Sequence, residues 1–284
     1  MITVPELAAE ALGSFLAEQL GRRYGSTQAE LAELVHSAAR LALECIGTSD
    51  ALYHDVEHTM LVTFAGYDVI RGRALLKPTH ASDFAHFIVA CLFHDIGYVR
   101  GIFEGDSVDR CVIDAKGGTI ELPPGSSDAA LLPYHVDRSK LFVMDRLGDS
   151  KVLDANRIAR AIEYTRFPLA HDPDETDNEE GWLVRGADLI GQLGDPQYLR
   201  KVNALYHEFE EVGMNRQLGY TSPADLKNQY PQFYWKSVSG NIQSAIRYLN
   251  VTSSGRQWIA ILYGNVLNAE HKLNLPRSKR SDWR

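Results

Sequence analysis

Cys91-Leu92-Phe93-His94-Asp95-Ile96-Gly97-Tyr98 is the stretch on which the reading of this chain turns. An apolar run from Phe87 to Phe93 delivers an adjacent His and Asp, and Gly97 then lets the chain turn away. The pair offers a neutral imidazole nitrogen and an anionic carboxylate oxygen, donors that suit zinc, iron, manganese or, through the oxygen, magnesium. Alone it also fits a helix end with two polar residues at the surface. Its company decides between the two. Upstream, Tyr53-His54-Asp55-Val56-Glu57-His58-Thr59 spaces two His at i and i+4, which on a helix share a face. Downstream, Gly186-Ala187-Asp188-Leu189-Ile190 sets another carboxylate in an apolar helical pattern. His58, His94, Asp95 and Asp188 can therefore reach one metal from separate helices.

Outward from this stretch the pattern is helical. Leu7, Ala8, Leu12, Phe15, Leu16 and Leu20 give an amphipathic first helix broken at Gly21 to Gly25. Thr27 with Glu30 reads as a capping box for a second. Ser49 or Asp50 is expected to cap a long helix through about Gly72 that carries both His54 and His58. Ser82 or Asp83 starts the helix that ends at His94-Asp95. Further helices are predicted over 129–147, 154–167, 182–192, 197–213, 234–249 and 257–271. The exception is Gly101 to Asp128, where β-branched runs flank Gly117-Gly118 and predict a small hairpin. Because it follows directly on His94-Asp95, this segment is expected to cover the metal cleft and select substrates; the alternative is a surface hairpin. The acidic run from His171 to Glu180 lacks the central Gly of a calcium loop and reads as a solvated surface loop. The fold class is all-α, one domain: helices over 1–47, a core over 48–250, and a final helix with a basic tail over 251–284.

Composition excludes several classes. With 284 residues and 45% hydrophobic content the chain can bury a large core. A net charge of −8 argues against general nucleic-acid binding, which needs a basic excess. Only the tail is basic (Lys272, Arg277, Lys279, Arg280 and Arg284), either a solvated end or an arm for an acidic partner. Cys45, Cys91 and Cys111 share no CxxC spacing, and Cys45 and Cys91 read as reduced core residues. Residues 1–20 have no basic start followed by an apolar stretch, and no run approaches bilayer length. A cytoplasmic protein with no membrane partner is expected.

The order His, His-Asp, Asp resembles the HD-domain family of metal-dependent phosphohydrolases, and within it the catalytic domain of class I cyclic-nucleotide phosphodiesterases. Those enzymes carry a Tyr-His-Asn-x-x-His-Ala pattern, which residues 53–59 nearly copy. They also carry a late Ala-Asp helix followed by Pro, as in Ala187-Asp188 and Pro196, and a helix ending in Thr, as in Ile158 to Thr165. The resemblance covers residues 48–250. It implies a phosphodiesterase-like hydrolase acting on a small phosphate ester, a nucleotide among the candidates, with one or two divalent ions (Zn, Fe, Mn or Mg) as cofactors. His58, His94, Asp95 and Asp188 would be the ligands, and Asp95 would also bridge to a second ion and so act in catalysis. A metal-activated water would attack phosphorus while His54 protonates the leaving oxygen, work suited to an imidazole. The alternative for His54 is a structural ring satisfied by a neighbouring carboxylate.

Three further residues are assigned to substrate. His135 and Arg138, at i and i+3, either hold phosphate oxygens or are a surface His and a solvated Arg. Gln232, within Gln229-Tyr230-Pro231-Gln232-Phe233-Tyr234-Trp235, stands near but not at the spacing of the family's purine-binding Gln, and the aromatic residues beside it either stack a base or pack the core. The family's His four residues after the His of the pair is Tyr98 here, and its Asn after Ala-Asp is absent. Two other readings remain: an HD-domain di-iron oxygenase, which needs more His ligands, and a non-catalytic ligand-binding protein on the same fold.

Overall fold

A computed structural model of the chain describes residues 2–168 and 178–274. The acidic loop proper (171–177) and the basic residues beyond 274 lie outside the described residues. In chain order come α1 (Val4–Tyr24), α2 (Ala29–Ile46), α3 (Val56–Leu76), α4 (Ala81–Phe93), β1 (Arg110–Val112), β2 (Thr119–Glu121), α5 (His135–Leu147) and α6 (Ala155–Ile162). After these follow α7 (Glu179–Leu193), α8 (Tyr198–Glu211), α9 (Met214–Leu218), α10 (Pro223–Phe233), α11 (Gln243–Leu249) and α12 (Ser253–Asn274). The fold is all-α with one two-stranded antiparallel hairpin among the described residues, pairing Cys111 with Ile120.

Several helix starts are set by side-chain caps, and some differ from expectation. α1 opens on a capping box of Thr3 and Glu6 and continues through Gly21 to Tyr24. The expected Thr27–Glu30 box does not form; residues 26–28 make a 3-10 turn and α2 starts without a side-chain cap. α3 begins only at Val56, because the Asp55 carboxylate accepts from His58 N at 2.9 Å. Asp50 is engaged elsewhere, accepting from Asp128 N and pairing with Arg100. His54 thus lies in the bend before α3 and not one turn below His58 on the helix face, a correction with consequences at the site. The expected helix over 234–249 splits into a π turn at Tyr234–Val238 and α11, with Asn241 bonding back to the Ser237 carbonyl between them. The sequence reading missed α9 and α10, although Ser222 followed by Pro223 is a helix-start signal and Ser222 does cap α10.

One apolar core runs from Ala9 to Ala269. At its centre is α4, with Phe84 to Phe93 all buried, which explains why its sequence is apolar on every side. Two glycines set the approach of the helices that carry the site. A Cβ on Gly191 of α7 would fall 2.7 Å from the Val62 backbone of α3, so α7 packs directly on that helix. A Cβ on Gly97 would fall 2.0 Å from the His135 carbonyl, so the turn after His94-Asp95 lies flat against the start of α5. Gly97 N also donates to Ser139 Oγ, and Ser139 Oγ donates to the His94 carbonyl.

A candidate metal centre at the floor of an apolar pocket

Three of the four expected ligands come from, or from just past, the helices held together by that packing: His58 from the first turn of α3, His94 and Asp95 from the end of α4. Asp188 comes from the middle of α7. Asp95 Oδ2 lies 3.1 Å from His58 Nε2 and 3.0 Å from His94 Nε2. Asp188 Oδ1 lies 3.6 Å from each of the same two nitrogens. His58 Nε2, His94 Nε2 and Asp95 Oδ2 are buried and none makes a hydrogen bond. Polar atoms crowded this closely without bonding one another are costly. A shared cation resolves all three at once. The ligand atoms of His58, His94 and Asp188 lie within 4.8 Å of one another, as do those of His54, His58 and Asp95. Two imidazoles and two carboxylates match the donor set of a divalent ion. Burial works to raise the Asp95 pKa, but the neighbouring His94 and His58 override it and hold the carboxyl well below its ordinary range, hence anionic.

The ring orientations are fixed from behind. His94 Nδ1 sits 2.8 Å from the Cys91 carbonyl and His135 Nδ1 2.6 Å from the Leu132 carbonyl. A carbonyl only accepts, so each ring carries its proton on Nδ1 and turns Nε2 toward the site. His135 Nε2 faces Asp95 Oδ1 at 3.7 Å, so this residue does join the cluster.

His54 is held differently. Its Nδ1 lies 2.5 Å from Glu208 Oε2, while Glu208 Oε1 accepts from the backbone N–H of Tyr53 (2.6 Å) and of His54 (3.2 Å). Glu208, on α8, is buried, and sequence reasoning did not find it; nothing local distinguishes it from its acidic neighbours Glu210 and Glu211. The Tyr98 ring is stacked between the two imidazoles, 4.5 Å from His54 on one face and 4.5 Å from His135 on the other. Burial works to lower both histidines' pKa. For His135 it prevails and the ring is held below its ordinary value. For His54 the charge and hydrogen bond of Glu208 override it and raise the pKa to about 9. Two imidazoles on one tyrosine are thereby pushed to opposite protonation states at neutral pH, the arrangement that separates acid from base. Tyr53 is buried with its ring 5.3 Å from His54 and 5.5 Å from His58, packed beside the site.

Two of the residues assigned to substrate are elsewhere. Arg138 is fully buried and all its donors are used: Nε on the Gly97 carbonyl, the two terminal nitrogens on the Val99 and Val112 carbonyls and on both Asp106 oxygens. It clamps the 101–112 segment to the turn after Asp95 and has nothing left for phosphate. Gln232 is exposed on the outer side of α10, because its neighbours Tyr230 and Phe233 take the inward positions.

Above the His/Asp floor opens a pocket of about 80 Å³. Its floor is His54, Asp95, Tyr98, His135 and Asp188, and its walls come from α7, α8, the α9–α10 segment and the stretch after α6. Gln192, on α7, lines it where Gln232 does not. No residue of 101–128 lines it, so the hairpin does not cover the cleft as expected. The hairpin instead packs a small cluster of its own, Cys111 and Leu122 against Leu131.

No helix among the described residues is long and apolar enough to cross a membrane. No curated protein and no solved structure matches the chain. A family model described as Npun_R2479-like matches residues 3–272, which take in the whole floor and every wall of the pocket, and the chain belongs to that Npun_R2479-like family.

Proposed function

We propose that this chain is a metal-dependent phosphohydrolase that cleaves a small phosphodiester, with His58, His94, Asp95 and Asp188 as the ligands of a divalent ion. One observation carries the reading: four donor atoms from three helices converge within 3.0–3.6 Å of their neighbours, and three of them are buried without a hydrogen bond. The order of these residues, resembling the HD-domain phosphodiesterases, supports the hydrolytic class. A divalent ion held there lowers the pKa of coordinated water and neutralises charge on phosphoryl oxygens.

The chain's own residues supply the rest. His54 is cationic at neutral pH, keeps one proton on Nδ1 for Glu208, and holds its second proton on Nε2 at the pocket floor. When water's oxygen bonds to phosphorus and the ester P–O bond breaks, that Nε2 proton passes to the leaving oxygen. A proton from the attacking water returns to His54 through solvent, which closes the cycle. Glu208 fixes the ring's tautomer and its charge, and Tyr98 holds the ring plane. The apolar walls keep bulk water off the reacting bond.

A second reading, a di-iron oxygenase, is favoured by His135, whose free Nε2 near Asp95 Oδ1 offers an imidazole to a second ion. Chelator-stripped protein reloaded with zinc, manganese, magnesium or iron separates the two on a panel of phosphodiesters and phosphomonoesters. Release of alcohol and phosphate ester dependent on a divalent ion is the expected result; two irons per chain with dioxygen uptake and no ester cleavage favours the oxygenase. His94→Ala and Asp188→Ala are expected to lose metal and activity while keeping helical circular dichroism. Wild-type metal content in either variant overturns the ligand assignment.

A further inference from the structure

The walls of the pocket are chemically unlike its floor. Away from His54, Asp95, His135 and Asp188, no Lys, Arg, Asp or Glu lines it among the described residues. The walls are mainly aliphatic and aromatic, with Thr165 and Gln192 the uncharged polar residues among them beside the tyrosines. Phe167 lies parallel to Phe209 (centroids 6.0 Å apart, 13° between planes) and edge-on to Phe233 at 6.3 Å. Tyr198 packs against Tyr230 at 4.9 Å. Such a wall gains from burying apolar surface and loses from burying charge. A polyphosphate chain entering it would meet no cation beyond the floor.

One atom of the wall is out of keeping. Tyr230 is 2% exposed, and its hydroxyl is buried with no hydrogen-bond partner. A phenol is rarely buried unless something accepts its proton, and the ring lines the pocket. An acceptor on a bound molecule satisfies it.

Resting on the phosphohydrolase reading, we propose that the substrate is a phosphodiester of a bulky aromatic or branched apolar alcohol rather than of a nucleoside. Its single anionic charge sits at the His/Asp floor, its apolar body lies between Phe167, Phe209, Phe233 and Leu226, and a ring acceptor meets the Tyr230 hydroxyl. The cavity of about 80 Å³ has room for several waters, at ~10–15 Å³ for each, and so for an aromatic ring. The floor contributes charge and chemistry, and the wall contributes selectivity by what it cannot solvate.

Binding without turnover tests this separately from catalysis. Three methylphosphonate monoesters, with naphthylmethyl, 6-methoxynaphthylmethyl or thymidine as the alcohol, are titrated calorimetrically into metal-loaded protein. The naphthylmethyl compound is expected to bind about ten-fold or more tightly than the thymidine compound, the effect of burying a bicyclic ring against one apolar wall. The methoxy group is expected to add a few-fold, about what one neutral hydrogen bond contributes, and Tyr230→Phe to abolish that increment while leaving the parent compound unchanged. Equal binding of all three, or tighter binding of thymidine, overturns the proposal whatever the enzyme hydrolyses. Selective binding with no hydrolysis of the corresponding nitrophenyl diesters leaves the pocket assignment standing and overturns the phosphohydrolase reading alone.

Discussion

His54 joins two halves of the molecule that are 154 residues apart in the chain, its Nδ1 on Glu208 and its Nε2 side at the pocket floor. The pairing turns an ordinary imidazole into one that stays protonated to about pH 9. A group that acts as an acid is active while protonated, so the rate on an ester with a poor leaving group should hold through neutrality and fall as pH rises through 9. Glu208→Gln removes the charge that raises the pKa, and burial is left to lower it. The alkaline fall should then move down toward or below about 6.5, the ordinary value for His. His54→Ala should retain metal and lose roughly 10²–10⁴ in turnover on the same ester, but far less on a nitrophenyl ester, whose leaving group needs no proton. A pH–rate profile unmoved by Glu208→Gln would show that the acid is another group.

At the scale of elements, Arg138 explains why the segment after His94-Asp95 does not close over the cleft. Five donors on one guanidinium bind three carbonyls and the Asp106 carboxylate, which pins the 101–112 segment down against the turn beneath it. Arg100 adds ion pairs to Asp128 and Asp50 at the segment's base. Arg138→Met leaves the buried Asp106 carboxylate without its cation, held only by the N–H groups of Gly101, Phe103 and Val112, a loss of about 3–5 kcal/mol. Urea unfolding should show that loss, and Arg138→Met with Asp106→Asn, which removes the charge and keeps an acceptor for the backbone N–H groups, should recover part of it, while metal content per folded chain stays unchanged in both. A loss below about 1 kcal/mol would mean that the backbone N–H groups of Gly101, Phe103 and Val112, not Arg138, satisfy Asp106.

For the whole molecule the question is how far the fold depends on the ion. The proposed ligands stand on helices whose packing is completed by apolar contacts, with α4 buried along nearly its whole length. Chelation should therefore preserve helical circular dichroism and lower only the melting temperature. An ion that binds the native state alone adds about 2.7 kcal/mol at one hundred times its dissociation constant. Melting curves across a metal titration should rise with concentration by this relation in the wild type and stay flat in Asp188→Ala. Loss of helical signal on chelation would instead make the ion part of the fold.

The helical class, the four residues that cluster (His58, His94, Asp95 and Asp188) and the hairpin were legible in the sequence because each is written in local pattern: an apolar period, a His-Asp at the end of an apolar run, a Gly-Gly between β-branched residues. Asp55, which starts α3, was legible too but was passed over for Ser49 and Asp50, and with it the exclusion of His54 from the helix. What only the tertiary structure decided is everything that depends on which helix lies beside which. Glu208 is one acid among several on α8 until packing sets it under His54. Arg138 and His135 lie three residues apart on one helix, yet burial beside Asp106 takes the first away from the site and the turn at Gly97 brings the second in. The pocket's walls come from α7 to α10 and the stretch after α6, whose apolar residues read in sequence as core, except the aromatic residues beside Gln232, for which base stacking stood as the other reading. A local pattern states which face of a helix is buried, and long-range packing alone decides what that face is buried against.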